Sequence, residues 1–361
     1  MAAAGARLVD IAGAVVGSGR AAGSVAGSGD VQTAAVIVLV LVALGFDFTN
    51  GFHDAANAIA TSISTRALTP RVALGMAGVL NLIGALISTK VAATVGKGIV
   101  AAPVGNHGLL LVFAALIGAI GWNLLTWWLG LPSSSTHALI GGLIGAALAS
   151  TGSVHWRGVW DKVIIPMIAS PLVGVGLGFV VMLVILWVFR HRNAHRLNTG
   201  FRRLQVLSAA AMAYSHGTQD AQKTMGVITL ALVTSGHLSS FHVPFWVVIS
   251  CATAMGFGTY AGGWRIIRTL GRRVVALTPP SGFAAEVSAS AVLLFSAYGY
   301  ALPVSSTHVI TSTVMGVGAT RRLSAVRWGV AGNIIGAWIL TIPGAAALAA
   351  LVFTIGHPFL T

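Results

Sequence analysis

Acidic side chains are scarce in this chain. Asp and Glu number 7 among 361 residues, and all charged residues together make up 8%, against roughly 25% in an ordinary soluble domain. So few charges cannot coat a globule of this size, so most of its surface must face something apolar. Cysteine is scarcer still. Cys251 stands alone, which excludes an internal disulfide and a cysteine-cluster metal site. The shortage of acids leaves a net charge of +14, a value that by itself suggests nucleic acid. The basic residues, however, sit in short clusters between apolar stretches, where a membrane protein keeps its orientation signals. No nucleic-acid partner is expected.

Apolar residues are abundant. Hydrophobic residues make up 56%, and 45 glycines are scattered through the apolar runs, which suits close helix packing in a bilayer. Residues 1–33, rich in Ala, Gly and Ser, read as a flexible N-terminal tail. Ten apolar stretches follow, at about 34–65, 72–95, 109–130, 133–151, 162–189, 204–233, 243–264, 283–301, 304–320 and 328–355. A hydrocarbon core of ~30 Å takes about 20 helical residues. The stretches at 133–151 and 304–320 are marginal and fit either full crossings or re-entrant halves. If 191–203 is a cytoplasmic loop, the segments on that side carry 14 Lys and Arg and those outside carry 6. This bias places both termini outside. Re-entrant hairpins would leave every charged loop on its side.

Two motifs recur in order. Pro132-Ser133-Ser134-Ser135-Thr136-His137 matches Pro303-Val304-Ser305-Ser306-Thr307-His308, each with a glycine thirteen residues after the proline, Gly145 and Gly316. Upstream, Gly51-Phe52-His53-Asp54-Ala55 aligns with Gly217-Thr218-Gln219-Asp220-Ala221. Each half holds five stretches, and two copies of an odd unit insert with opposite orientation. The expected fold is an all-α integral membrane protein of two inverted repeats, 34–190 and 204–355, an architecture that puts the substrate near the midplane.

Four of the acids, Asp47, Asp54, Asp220 and Glu286, fall inside membrane stretches. A charge at the bilayer centre costs ~2.5–3.5 kcal/mol on insertion scales, so these need a reason. Lys223, three residues from Asp220, can pair on one helical face but cannot serve all four. Binding of a coupling cation or a proton explains the excess. Asn50, His53, Asp54 and Asn57 cluster after only thirteen apolar residues, 34–46, or ~20 Å of helix. A helix break is expected there, with freed carbonyls that suit a hard cation such as Na⁺. Gln219 and Asp220 hold the same place in the second half. The two Pro-Ser/Thr segments suit an anion instead. Proline starts a helix well, and the helix start offers free N–H groups and a partial positive charge. A cap needs one hydroxyl. Ser134, Ser135 and Thr136, with Ser305, Ser306 and Thr307, offer three in each copy. His137 and His308 either line that site or cap the backbone.

The text from Gly45 to Ala58, the text from Ser215 to Lys223 and both Pro-x-Ser-Ser-Thr-His segments resemble the PiT family of inorganic phosphate transporters over about residues 34–355. The resemblance implies that inverted repeats carry inorganic phosphate with a coupling cation. The Ser/Thr segments and Lys223 would then contact phosphate, and Asp54, Asn57 and Asp220 would bind the coupling ion. The family usually has Asn where this chain has Gln219. The Phe-His-Asp form resembles bacterial members, which implies H⁺ ahead of Na⁺. It also implies phosphate carried as a complex with Mg²⁺ or another divalent metal. No cofactor and no catalytic residue are expected. The rivals are a sulfate transporter on the same scaffold, a channel, and an intramembrane aspartyl protease. A homo-oligomer in the cell membrane fits as well as a monomer.

Overall fold

The computed structural model describes residues 32–150 and 152–359. The tail read over 1–33 lies outside the described residues, apart from its last two positions. The first half holds α1 (Gln32–Ser64), α2 (Pro70–Ile87), the short α3 (Lys90–Gly98), α4 (Asn106–Leu129) and α5 (Ser135–Ala149). It closes with α6 (Trp156–Val159), which runs through a wide turn into α7 (Ile165–Val188) as one span. The second half holds α8 (Ala194–Thr234), α9 (Phe245–Ala261), α10 (Trp264–Arg268), α11 (Pro279–Leu294), α12 (Ser306–Ala319) and α13 (Trp328–Gly356). Strands β1 (Val100–Ala101) and β2 (Ser153–Val154) form one antiparallel rung between α3 and α6. Among the described residues, six helices are long and apolar enough to cross a membrane, and the bent pair of α9 with α10 adds a seventh. The chain is a membrane protein.

Local chemistry sets the ends. Pro70 and Pro279 open α2 and α11 from extended Thr69 and Thr278, where a missing N–H costs nothing. Asn193 caps α8, its side chain accepting from the His195 and Arg196 amides. Most of the basic segment read as a loop over 191–203 is therefore the first turns of α8, and only 191–193 precede it. Its arginines remain exposed. α4 stops at Gly130, whose φ of 70° is the left-handed conformation that glycine adopts freely.

The helices pack by exchange. α1 lies on α9 as α8 lies on α2. α5 lies on α13 as α12 lies on α7, and α4 packs on α5 as α11 packs on α12. Each repeat thus completes its core with helices of the other. α5 has 15 residues and α12 has 14, about 22 and 21 Å of helix, too short for the hydrocarbon core. Both are buried on all sides, α5 from Ser135 to Ala147 and α12 from Ser306 to Gly318. The glycine shared by the two motifs has a physical reason here. A Cβ on Gly145 would collide with the backbone at Ala346 of α13, and one on Gly316 with the backbone at Val175 of α7.

One expectation is corrected. α1 does not break at the polar cluster; it is helical from Gln32 to Ser64. Asn50, His53, Asp54 and Asn57 face packed helices rather than lipid and are buried to 2% exposure or less. His53, Asp54 and the Asn57 amide nitrogen find side-chain partners across the bundle, while Asn50 Oδ1 and Asn57 Oδ1 have none. Any cation held here is held by side chains.

Candidate functional site

The two short helices bring their first turns to the middle of the two long polar helices. Ser134 caps α5 by accepting from the His137 amide at 3.2 Å, and Ser305 caps α12 by accepting from the His308 amide at 3.2 Å. One hydroxyl of each triplet is thereby used. The next one faces a carboxylate: Ser135 Oγ donates to Asp54 Oδ2 at 2.8 Å, and Ser306 Oγ donates to Asp220 Oδ2 at 3.0 Å. Asn57 Nδ2 crosses to the second repeat, donating to Thr307 Oγ1 at 2.9 Å and to Ser306 Oγ at 3.3 Å. Thr307 Oγ1 donates to Asp54 Oδ1 at 3.5 Å. Thr136 is buried as well. The first repeat's carboxylate therefore touches hydroxyls from both short helices.

Each carboxylate also has an imidazole. His53 Nδ1 lies 2.7 Å from Asp54 Oδ1, and its Nε2 reaches Thr126 Oγ1 at 3.2 Å, which bonds Ser133 Oγ at 2.7 Å. His216 Nε2 lies 2.9 Å from Asp220 Oδ2, and its Nδ1 donates to Asn81 Oδ1 at 3.0 Å. Asn81 Nδ2 donates in turn to Thr259 Oγ1 at 2.9 Å. Lys223 Nζ pairs with Asp220 Oδ1. One ligand atom from each of Asp54, His216 and Asp220 falls within 4.8 Å of the others.

The site therefore unites Asp54, Asn57, Asp220, Lys223, Ser135, Ser306 and Thr307. It does not unite the other candidates. Gln219 turns away and donates to the Leu293 carbonyl at 3.1 Å. Glu286 sits in a pocket of its own, accepting from Thr61, from Gln205 Nε2 at 3.2 Å and from Ser208. Asp47 and Asn50 lie further along α1. His137 and His308 lie against each other rather than against the carboxylates. Their rings meet at 4.7 Å between centroids, and His308 stacks on Trp338 at 4.0 Å.

The sequence sets His53 and His216 in the two polar clusters, but the repeat does not show them as equivalents, and it gives no role to Asn81. Motif alignment sets His53 opposite Gln219, yet His216, one helical turn before Asp220, does the equivalent work. The i, i+4 spacing on one face was the available signal for His216. Asn81 had none, because only the packing of α2 on α8 brings it there.

Residues 50–349 match a model of the phosphate transporter family. The chain is 50% identical over 333 residues to a Mycobacterium bovis protein named a probable low-affinity inorganic phosphate transporter, covering 91% of this chain and 79% of the relative. A Bacillus subtilis protein of the same name is 45% identical over 329 residues, covering 90% of this chain and 98% of the relative. Among solved structures, one described as the sodium-dependent phosphate transporter superposes with a TM-score of 0.82 at 24% identity, covering 89% of this chain and 98% of that one.

Proposed function

The chain belongs to the phosphate transporter family, and from that premise we propose that it is a secondary active symporter, moving inorganic phosphate across the cell membrane with H⁺ or Na⁺. Phosphate transport follows from the family, which is one of transporters and not of enzymes. The coupling and the site are our reading. One observation carries them: Ser135 and Ser306, at the starts of the two short helices, are bonded to Asp54 and Asp220 at 2.8 and 3.0 Å. Hydroxyls that can rotate toward an anion and carboxylates that can bind its cation thus sit in direct contact.

The same juxtaposition favours phosphate over sulfate. Phosphate at neutral pH keeps a proton that it can donate to a carboxylate. Sulfate has none and would meet Asp54 and Asp220 as like charge. Ser135, Thr136, Ser306, Thr307 and Lys223 are the anion's donors in this reading, with Ser134 and Ser305 holding the helix starts in place. Asp54 and Asp220 take up the coupling ion, with Asn57 bridging the repeats. The imidazoles of His53 and His216 beside them support H⁺. The close approach of Asp54, His216 and Asp220 also suits a divalent metal entering as cargo with phosphate.

Labelled phosphate uptake into proteoliposomes tests the reading, with the pH gradient, Na⁺ and Mg²⁺ varied separately. Uptake should be uphill, collapse with a protonophore at constant Na⁺, and be competed by arsenate and not by sulfate. Competition by sulfate would overturn the anion assignment. Uptake that ignores the proton gradient and follows Na⁺ would transfer the coupling to Na⁺.

A further inference from the structure

Arginine is unevenly placed in this chain. All 14 basic residues of the segments 66–71, 190–203, 265–273 and 321–327 are Arg, whereas Lys90, Lys97 and Lys162 stand beside Arg7, Arg20 and Arg157 in the others. Orientation in a bilayer asks for positive charge and does not distinguish Arg from Lys. A guanidinium differs from an ammonium in its planar fork, which meets phosphate or carboxylate oxygens two at a time. No carboxylate of the described residues is there to be met. Four are buried in the membrane helices, and Asp161 pairs with Arg157 at 3.7 Å, at the far end of the span that α6 and α7 share.

One cavity collects this charge. It measures about 270 Å³ and lies where the end of α1 meets α10 and the turn after it. Arg268 and Arg272 line one side, and Ala60, Ile63, Trp264 and Ile267 line the other. The guanidiniums of Arg190, Arg265, Arg321 and Arg327 donate within the chain; among the described residues those of Arg268 and Arg272 do not. Arg327 reaches the Arg272 carbonyl at 3.2 Å, which sets a third positive charge near the mouth. The floor is held in place. Ser64 Oγ donates to the Gly271 carbonyl, and a Cβ on Gly271 would lie 2.6 Å from the Ala60 carbonyl oxygen. The turn that carries Arg272 therefore rests directly on α1.

We propose that this cavity seats the headgroup phosphate of an anionic phospholipid. Two unpaired forks on one wall supply the donors that a phosphodiester takes, and no carboxylate competes for them. The apolar wall favours a lipid over a free anion. Ile63 and Ile267 belong to helices that continue into the hydrocarbon region, and Trp264 suits the boundary with water, so acyl chains have a path from the phosphate into the bilayer. Clustered basic residues draw anionic lipids to a membrane protein; here the cavity gives one of them a fixed place. None of its residues belongs to the site of Asp54 and Asp220, so the proposal does not depend on the transport reading.

The test uses the full-length protein in detergent and phosphate-free buffer. Its unfolding temperature is followed as phosphatidylglycerol or phosphatidylcholine is added to the micelles. A ligand that binds only the folded state raises that temperature saturably. Phosphatidylglycerol should do so and phosphatidylcholine should not. Arg268→Gln with Arg272→Gln should raise the phosphatidylglycerol midpoint about tenfold or more, the size of a lost hydrogen bond to a charged group. Arg202→Gln with Arg203→Gln, the same charge change at exposed positions of α8, should leave the midpoint where it was. If the first pair does not fold, Arg268→Lys with Arg272→Lys keeps the charge, loses the fork and should still raise the midpoint severalfold. Equal shifts with both lipids overturn the site. So does an unchanged midpoint in either cavity variant, or an equal loss in the two Gln pairs, which is the mark of diffuse charge. Glycerol 3-phosphate, the headgroup without chains, should not displace the lipid; if it does, the cavity takes a soluble phosphate ester and the lipid assignment falls.

Discussion

Asp54 and Asp220 reach similar surroundings by different local routes. Asp54 takes the imidazole of the residue before it, and Asp220 takes one from the preceding turn of the same helix. Each then accepts from the second hydroxyl of a Ser-Ser-Thr start. This separates two kinds of substitution. Ser135→Ala with Thr136→Ala, or Ser306→Ala with Thr307→Ala, removes donors and leaves the caps at Ser134 and Ser305 in place. A hydrogen bond to a charged group contributes ~1.5–3 kcal/mol, so each double change should raise the apparent KM for phosphate about tenfold or more. Well-expressed variants with unchanged affinity would remove the hydroxyls from the anion site. Asp54→Asn and Asp220→Asn keep the shape and remove the charge. Each should abolish concentrative uptake while phosphate exchange, which needs no net ion movement, partly survives. If both variants still accumulate phosphate uphill in liposomes, the carboxylates are structural.

Among the elements, the short helices carry the most testable packing. α5 and α12 are enclosed by the opposite repeat because a glycine in each lets a neighbouring backbone approach. Forcing a side chain into a packed interior typically costs ~1–3 kcal/mol. Gly145→Leu and Gly316→Leu should therefore lower the unfolding temperature in detergent, with the loss shared by α13 in the first case and α7 in the second. Gly45 and Gly75 have nothing within reach of an added Cβ, so alanine at either should leave the unfolding temperature nearly unchanged. A Gly145→Leu protein as stable as the parent would contradict the tight contact. These glycines were visible in the sequence as a shared spacing, and so were the starts of α5 and α12, because proline, cap and hydroxyls are local signals. The unbroken course of α1 was not visible. A run of Asn, His, Asp and Asn reads as a break when lipid is the assumed neighbour. It reads as an interior helix face only once α4, α8 and α12 are known to cover it. Glu286 shows the same limit: its isolation from the main site depends on Ser208 and Gln205 of α8, placed by long-range packing that no spacing encodes.

Across the whole molecule, orientation follows from parity. We read the first half as three net crossings, made by α1, α2 and α7. α4 with the short α5 goes in and returns, so the pair makes no net crossing. In the same reading the second half uses α8, α9 and α13, α8 crossing although its polar residues keep it out of the six apolar spans, while α11 returns through α12. Three net crossings per half is an odd number, so in this reading the second repeat enters the bilayer upside down relative to the first. On the positive-inside rule, the charge bias of 14 to 6 would put the arginines of 190–203, 265–273 and 321–327 on the cytoplasmic side and both termini outside. A reporter active only in the cytoplasm should therefore give signal when fused near Asn198 and none when fused after Thr361. Whether α5 stops halfway or reaches the far face, the loops on either side of the hairpin stay where they are, so the outcome does not depend on hairpin depth. Signal at both positions would require an even number of net crossings in the second half. That would make the repeats parallel, and the approach of α5 and α12 to one site would need an origin other than an in-plane twofold.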